Sequence, residues 1–170
     1  MRDYRATTEV NLLLSLLDRA FAGEEWYSLL TNLRTTRPVD WDWVPEAGQR
    51  SIRQIVQHVG GCKFMYTNHA FGDQRLQWDD PVVVGAGNRD NLLAAIPWLT
   101  AGHEHLRTRI ARLSDADLNT PRMTNWGEMK ETRWIITTLI EHDIYHAGEI
   151  NHLRSLHDGD DRWAYDRRPL

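Results

Sequence analysis

The chain has 170 residues, 41% of them hydrophobic, which suffices for one buried core but not for two ordinary domains. Its 20 Lys+Arg against 24 Asp+Glu give a net charge of -4, so it lacks the basic footprint of a phosphate-backbone binder and nucleic acid is not an expected partner. No apolar run of about 18 residues occurs, and the opening MRDYRATTEV carries neither a signal-type apolar stretch nor a cleavage site, so no membrane insertion or export is expected and the cytoplasm is the default location. The sole cysteine, Cys62, cannot form an internal disulfide, which fits a reducing compartment.

Val10, Leu13, Leu14, Leu17 and Phe21 recur at three- and four-residue steps and are resumed by Trp26, Leu29, Leu30 and Leu33, predicting a first helix over about 5–34 with a bend or break at Gly23. The stretch TTRPVDWDWVPEAGQR holds two prolines and a glycine without helical period, hence a connection that brings Trp41 and Trp43 to the bundle. Ser51, an N-cap residue type, then precedes Ile52, Ile55, Val56, Val59 and Cys62 in a second helix ending near Phe71, with Gly72 as the stop. From Asp73 to Asn88, Trp78, Pro81, the Val82-Val83-Val84 run, Gly85 and Gly87 read as a long loop with room for a short extended piece and enough chain for a crossover.

A third helix is predicted from about Arg89 to Leu113 on Leu92, Ile96, Leu99, Leu106 and Ile110, with Pro97 kinking or restarting it. Ser114 to Met129 is polar, contains Pro121 and Gly127, and reads as a loop. The fourth helix, about Lys130 to Leu156, carries Ile135, Leu139, Ile150 and Leu153 on one face. A polar tail follows, with Trp163 and Tyr165 as its candidate anchors. Four amphipathic helices and no sheet predict an all-α four-helix bundle with long inter-helix loops, one domain over 1–157 and a tail over 158–170.

On a wheel at about 100° per residue with Ile135 as origin, Leu139 falls near 40°, Ile150 near 60° and Leu153 near 0°, while His142 lands near 340° and His146 near 20°. Two imidazoles thus share the apolar face of the fourth helix. They are separated by roughly 6 Å of rise, so both nitrogens can reach one ion at about 2.0–2.1 Å. A pair of core histidines satisfied by hydrogen bonds is the plainer alternative, but burying two unpaired imidazoles costs a few kcal/mol unless a metal or strong acceptors compensate.

His58 lies between Ile55 and Cys62 at the edge of the second helix's apolar stripe and is the third candidate ligand. His69 is excluded from the same site, because eleven residues of helix place it about 16 Å from His58 along the axis. His103 also faces inward by pattern, either as a hydrogen-bonded core residue or as a fourth ligand or base beside the metal. His105, His152 and His157 fall off the apolar stripes and read as solvated. Glu149, one turn beyond His146, is a candidate partner of the site or general base, with a salt bridge at the bundle end as its other reading. Asp143 and Glu141 flank the ligand positions and read as a solvated face, and Tyr145 borders the site. Cys62 is the weaker candidate for a thiolate ligand or nucleophile, having no partner cysteine and following Gly60 and Gly61. Three histidines without a cysteine leave an open coordination position, the arrangement of catalytic rather than structural zinc.

Two segments, SIRQIVQHVGGCKFMYTNHAFG from Ser51 to Gly72 and EHDIYHAGEI from Glu141 to Ile150, give the chain its likeness to a known family. It resembles the DinB-like superfamily, also called the YfiT-like metalloenzymes, with Trp26, Leu29 and Leu30 standing where that family has a Trp before a leucine pair. The resemblance extends from the first helix to Leu156, and His-x-x-x-His followed by Gly and an acidic or amide residue is its most specific motif. It implies a four-helix bundle whose metal triad is His58, His142 and His146, in agreement with the wheel. It also implies a homodimer and, in the better-understood branches, thiol-dependent transferases or hydrolases using a zinc-like or nickel ion. Two departures stand out: Gly60, Gly61 and Cys62 follow His58 where many relatives carry a Trp, and Glu149 holds a position frequently occupied by Gln.

The expectation is therefore a metal-dependent hydrolase or low-molecular-weight-thiol transferase acting on a small molecule. One divalent ion, zinc or nickel ahead of iron or manganese, would be held by the three histidines, with Glu149 and His103 as the candidates for proton handling. A non-catalytic binding or stress-response protein with a structural or sensory metal site is the alternative, and a plain bundle without metal the third.

Overall fold

The computed structural model describes residues 8–23, 27–48, 50–85 and 91–164. Trp26, Arg89, the side chain of Trp163 and Tyr165, all used above, lie outside them.

The expected first helix is two. α1 (Thr8–Ala22) stops at Gly23 and α2 (Leu29–Arg34) starts afresh, because the Gly23 carbonyl accepts hydrogen bonds from Ser28 Oγ at 2.6 Å and Thr31 Oγ1 at 2.7 Å instead of from a continuing helix. A buried Arg154 then fixes the end of α2, donating from Nη1 to Thr35 Oγ1 at 3.0 Å and from Nη2 to the Thr35 carbonyl at 2.8 Å. The next connection contains the turn α3 (Pro38–Trp41) and delivers Trp41 into the core, with Trp43 packed against it.

α4 (Ile52–Phe71) begins on a reciprocal cap: Ser51 Oγ accepts from Gln54 N, and Gln54 Oε1 accepts from Ser51 N at 2.9 Å. It ends at Gly72, as its sequence predicts. The Val82-Val83-Val84 run forms a helical turn, α5 (Pro81–Val84), rather than an extended piece. Pro81 at the first helical position sets φ for a turn of helix, and Gly85 at φ +66° closes it in the left-handed region.

α6 (Leu92–Ile110) is capped by Asn91, whose Oδ1 accepts from Ala94 N at 2.9 Å. It runs through Pro97 as one element; the carbonyl that Pro97 leaves without a donor belongs to Leu93, a residue 71% exposed, where water can satisfy it. The following loop contains a 3-10 turn (Asp115–Asn119) and a small hairpin, β1 (Pro121–Met123) against β2 (Met129–Glu131), antiparallel with Arg122 opposite Lys130. α7 (Thr132–Asp158) is the longest element and ends at Gly159, φ +72°.

The four long helices close a ring in which α1 packs on α6 and α7, and α4 packs on the same two. α1 and α4 therefore face each other across the bundle, so the chain between them, carrying α2 and α3, is a crossover; the 111–131 connection is another, since α6 and α7 are also opposite. The 72–91 loop joins adjacent helices. The fold is an all-α four-helix bundle, and no described helix is long and apolar enough to cross a membrane.

Its buried apolar residues form two clusters. One gathers Trp41, Ile52, Ile55, Val59, Trp98, Leu99, Ile150 and Leu153; the other gathers Leu14, Leu106, Ile110, Ile135, Ile136 and Leu139. Where these clusters meet along α4, α6 and α7, polar side chains are buried among the apolar ones: Lys63 and Thr67, then His103, then Asp143 and His146. A polar layer thus crosses the middle of the bundle, and the histidine site lies at its edge.

Candidate metal centre

Each histidine owes its place to helical phase. α7 turns His142 and His146 towards α4, and α4 presents His58 from the rim of its apolar stripe. His58 Nε2 lies 3.1 Å from His142 Nε2, and His146 Nε2 lies 3.2 Å from the same atom. Tetrahedral coordination by imidazoles at about 2.0–2.1 Å separates nitrogens by about 3.3–3.4 Å, so the three rings are already spaced for one ion.

The hydrogen-bond arithmetic favours a cation. His146 Nδ1 faces Glu149 Oε2 at 2.7 Å, which places the ring's proton on Nδ1 and leaves Nε2 as a bare lone pair. His142 Nδ1 is buried with no hydrogen-bond partner. Neutral rings whose Nε2 atoms converge cannot supply a proton to every contact, and an ion among them satisfies all three.

The rings are held neutral. Burial, then the neighbouring His146 and His58, pushes His142 down to about 3. His146 is lowered by burial against the opposing pull of Glu149, and His58 by partial burial followed by the fields of His146 and Arg50. Lone pairs are thus available for coordination at neutral pH.

Glu149 is held in turn: its Oε1 accepts from Arg50 Nη2 at 2.8 Å, so Arg50, Glu149 and His146 form a line ending at the site. Nothing in the helical pattern pointed to Arg50, which precedes α4 in a connection. Tyr145 is 66% exposed with its ring 5.0 Å from that of His146, bordering the site as its position predicts. His58 is exposed, leaving one side of the site open to solvent.

His103 is buried, as its pattern predicts, but its described contacts lie elsewhere. It stacks on Phe21 at 4.0 Å, and its Nε2 lies 3.2 Å from Asp18 Oδ1. Burial and the nearby Lys63 push it down to about 4, so the Asp18 contact is a neutral hydrogen bond rather than an ion pair. No described contact joins His103 to the three histidines. His69 binds the Leu76 carbonyl at 3.1 Å at the end of α4, and His105 and His152 are exposed.

Asp143 is not on a solvated face. It is fully buried and takes two hydrogen bonds from Lys63 Nζ, at 2.8 and 2.6 Å, on the adjoining helix. Burial raises its pKa, opposed by the Lys63 ammonium. His157 is also not simply solvated: it is half-buried, with Nδ1 2.9 Å from Asp40 Oδ1. Asp40, His157 and Asp158 form a second cluster of metal-ligating residue types, but Arg37 binds both carboxylates and already supplies its cation.

Cys62 is buried, with Sγ 3.8 Å from His58 Nε2, and burial pushes its thiol up to about 12. Among the described residues no cysteine joins the three histidines, whose donor atoms lie within 4.8 Å of one another. Beside His58 a cavity of about 280 Å³ is lined by Gln57, Gly61, Trp78 and Val83, residues not picked out as part of a site by the helical pattern.

Among the described residues, the only other cluster able to hold a metal is the one Arg37 occupies, so His58, His142 and His146 stand as the candidate centre. No curated protein matches the chain. A family model, the DinB superfamily, matches residues 22–150, a span containing all three histidines, and the chain belongs to that superfamily.

Proposed function

We propose that the protein is a metal-dependent enzyme that directs water or a low-molecular-weight thiol at a small-molecule substrate, as a hydrolase or a thiol transferase. The observation that carries this reading is the convergence of three neutral Nε2 atoms at a site with one side open, where exposed His58 meets solvent. A divalent ion held there would supply Lewis acidity, making a water or thiol at the open position acidic enough to act as a nucleophile near neutral pH. Zinc and nickel suit three imidazoles best in this reading.

The chain's own residues divide the work. His58 and the His142–His146 pair would hold the ion from two helices. Glu149 is a positioning residue, since it fixes the tautomer and angle of His146 and is itself anchored by Arg50. His103 has Asp18 and Phe21 as its partners, and this reading gives it no role at the ion. A structural or sensory site would instead be closed by a fourth protein ligand, and among the described residues no further His, Cys, Asp or Glu joins the three.

Plasma mass spectrometry on untagged protein tests this. The expected result is about one zinc or nickel per chain, lost in His142→Ala/His146→Ala, with a hydrolase or thiol-transferase activity that follows the metal. Wild-type protein that takes up no metal even after reconstitution overturns the proposal.

A further inference from the structure

We infer that the cavity beside His58 is the specificity pocket of this site and receives a compact, uncharged apolar group, of about phenyl size, from the substrate. The inference rests on the proposed function only for what happens at the open side of the triad; the ligand chemistry rests on the wall residues themselves.

The two glycines after His58 do different things. A Cβ at Gly60 would sit 2.3 Å from the ring of Trp98, so Gly60 is a packing glycine that admits that indole. A Cβ at Gly61 would meet the Val83 carbonyl at 3.1 Å, Val83 Cγ1 at 3.5 Å and Trp78 Cζ3 at 3.6 Å. Gly61 therefore lines the cavity beside His58 without a side chain, and any other residue would begin to fill the space.

The opposite wall is fixed. Trp98 Nε1 donates to the Val82 carbonyl at 2.8 Å, which ties the α5 turn to α6, and Gly85 in the left-handed region lies against the same indole. Val83 is 2% exposed, whereas Trp78 is 50% exposed and offers a ring face for a ligand to cover.

Size and charge follow from these walls. The cavity measures about 280 Å³, and an apolar cavity of about 150 Å³ already takes benzene. Its polar lining is the amides of Gln54 and Gln57 and the imidazole of His58. The nearby charges, Arg50 and Glu149, are paired with each other at 2.8 Å. In the metal-free protein the pocket's own side chains offer a charged group no counter-charge for its desolvation, whereas an uncharged ring needs none.

The test uses three probes of one size and different charge, benzamide, benzoate and benzylammonium, titrated into metal-free full-length protein by calorimetry and by indole N–H resonances, with Trp78 assigned through Trp78→Phe. Benzamide is expected to shift the Trp78 resonance saturably and to bind at least ten-fold tighter than either charged probe. Gly61→Val, which fills the pocket, and Trp78→Ala, which removes a half-exposed wall without touching the core, are each expected to weaken benzamide at least ten-fold while metal content stays at the wild-type value. Absence of a Trp78 shift, equal binding of the three probes, or wild-type affinity in Trp78→Ala overturns the inference. Protein that binds benzamide but no metal defeats the proposed function and leaves the pocket standing; protein that binds metal but ignores benzamide does the reverse.

Discussion

Replacing Lys63 by Met should be the most destabilising single change in the polar layer, and also one of the most repairable. Lys63 and Asp143 have side chains 1% exposed and touch at 2.6 Å. At an effective dielectric near 20 their mutual attraction is about 6 kcal/mol, but taking each ion out of water costs several kcal/mol, so the pair as a whole contributes little net stability. Lys63→Met keeps the length of the chain over Phe21, whose ring centre lies 5.0 Å from the ammonium, but leaves a buried carboxylate alone. The expected cost is about 3–5 kcal/mol. Lys63→Met/Asp143→Leu removes the stranded charge and should recover most of that loss. Urea unfolding followed by circular dichroism and tryptophan fluorescence, on metal-free wild type, both single variants and the double variant at neutral pH, gives the four corners of the cycle. A single-variant cost below about 1 kcal/mol, or a double variant no more stable than Lys63→Met, would refute the reasoning.

Glu149→Ala removes the acceptor that orients His146 and should weaken metal binding about 10–100-fold in a chelator competition, with unchanged affinity counting against the positioning role. His103 has its folded pKa depressed to about 4 from 6.5, so protonation favours the unfolded chain: stability is full above pH 6.5 and falls as the pH drops towards 4. The loss from this group is about 3 kcal/mol, and His103→Phe should show a correspondingly flatter stability profile over that window. Gly60→Ala places a methyl 2.3 Å from Trp98 and should cost about 1–3 kcal/mol despite the better helix former. Part of that loss should return in Gly60→Ala/Trp98→Leu, measured by thermal unfolding.

The bundle and the triad were readable because both are written in helical phase. His142 and His146 recur with Ile135, Leu139 and Ile150, and Ser51, an N-cap residue type, marks where α4 starts, so the face bearing His58 follows from the sequence. The Lys63–Asp143 pair was readable in principle and missed. On the wheel of the fourth helix Asp143 falls near 80° from Ile135, and on a like wheel for α4 Lys63 falls near 80° from Ile55, between Val59 and Val56. Opposite charges at one inward phase on two helices are the signature of a buried pair, but charge alone suggests solvent. The α5 turn was misread because three β-branched valines suggest a strand, while Pro81 and Gly85, which bound it as a helical turn, are also ordinary loop residues. Its strands being three residues each, the hairpin of 121–131 has no alternation long enough to register. The cavity beside His58 depends on Gly61 meeting Val83 and Trp78 across the bundle, a contact between distant segments that no local period encodes.

The seclusion of Cys62 has a practical corollary. The residue is 5% exposed, and a thiol held near 12 is ionised in roughly one molecule in 10⁴ to 10⁵ at pH 7.5. Alkylating reagents must therefore wait for α4 to part from its neighbours before they can react. Because the sequence contains no second cysteine, each labelled molecule records one such opening, and it does so one helical turn from His58. The slow chemistry of this residue is thus a native clock for how often the floor of the site comes apart.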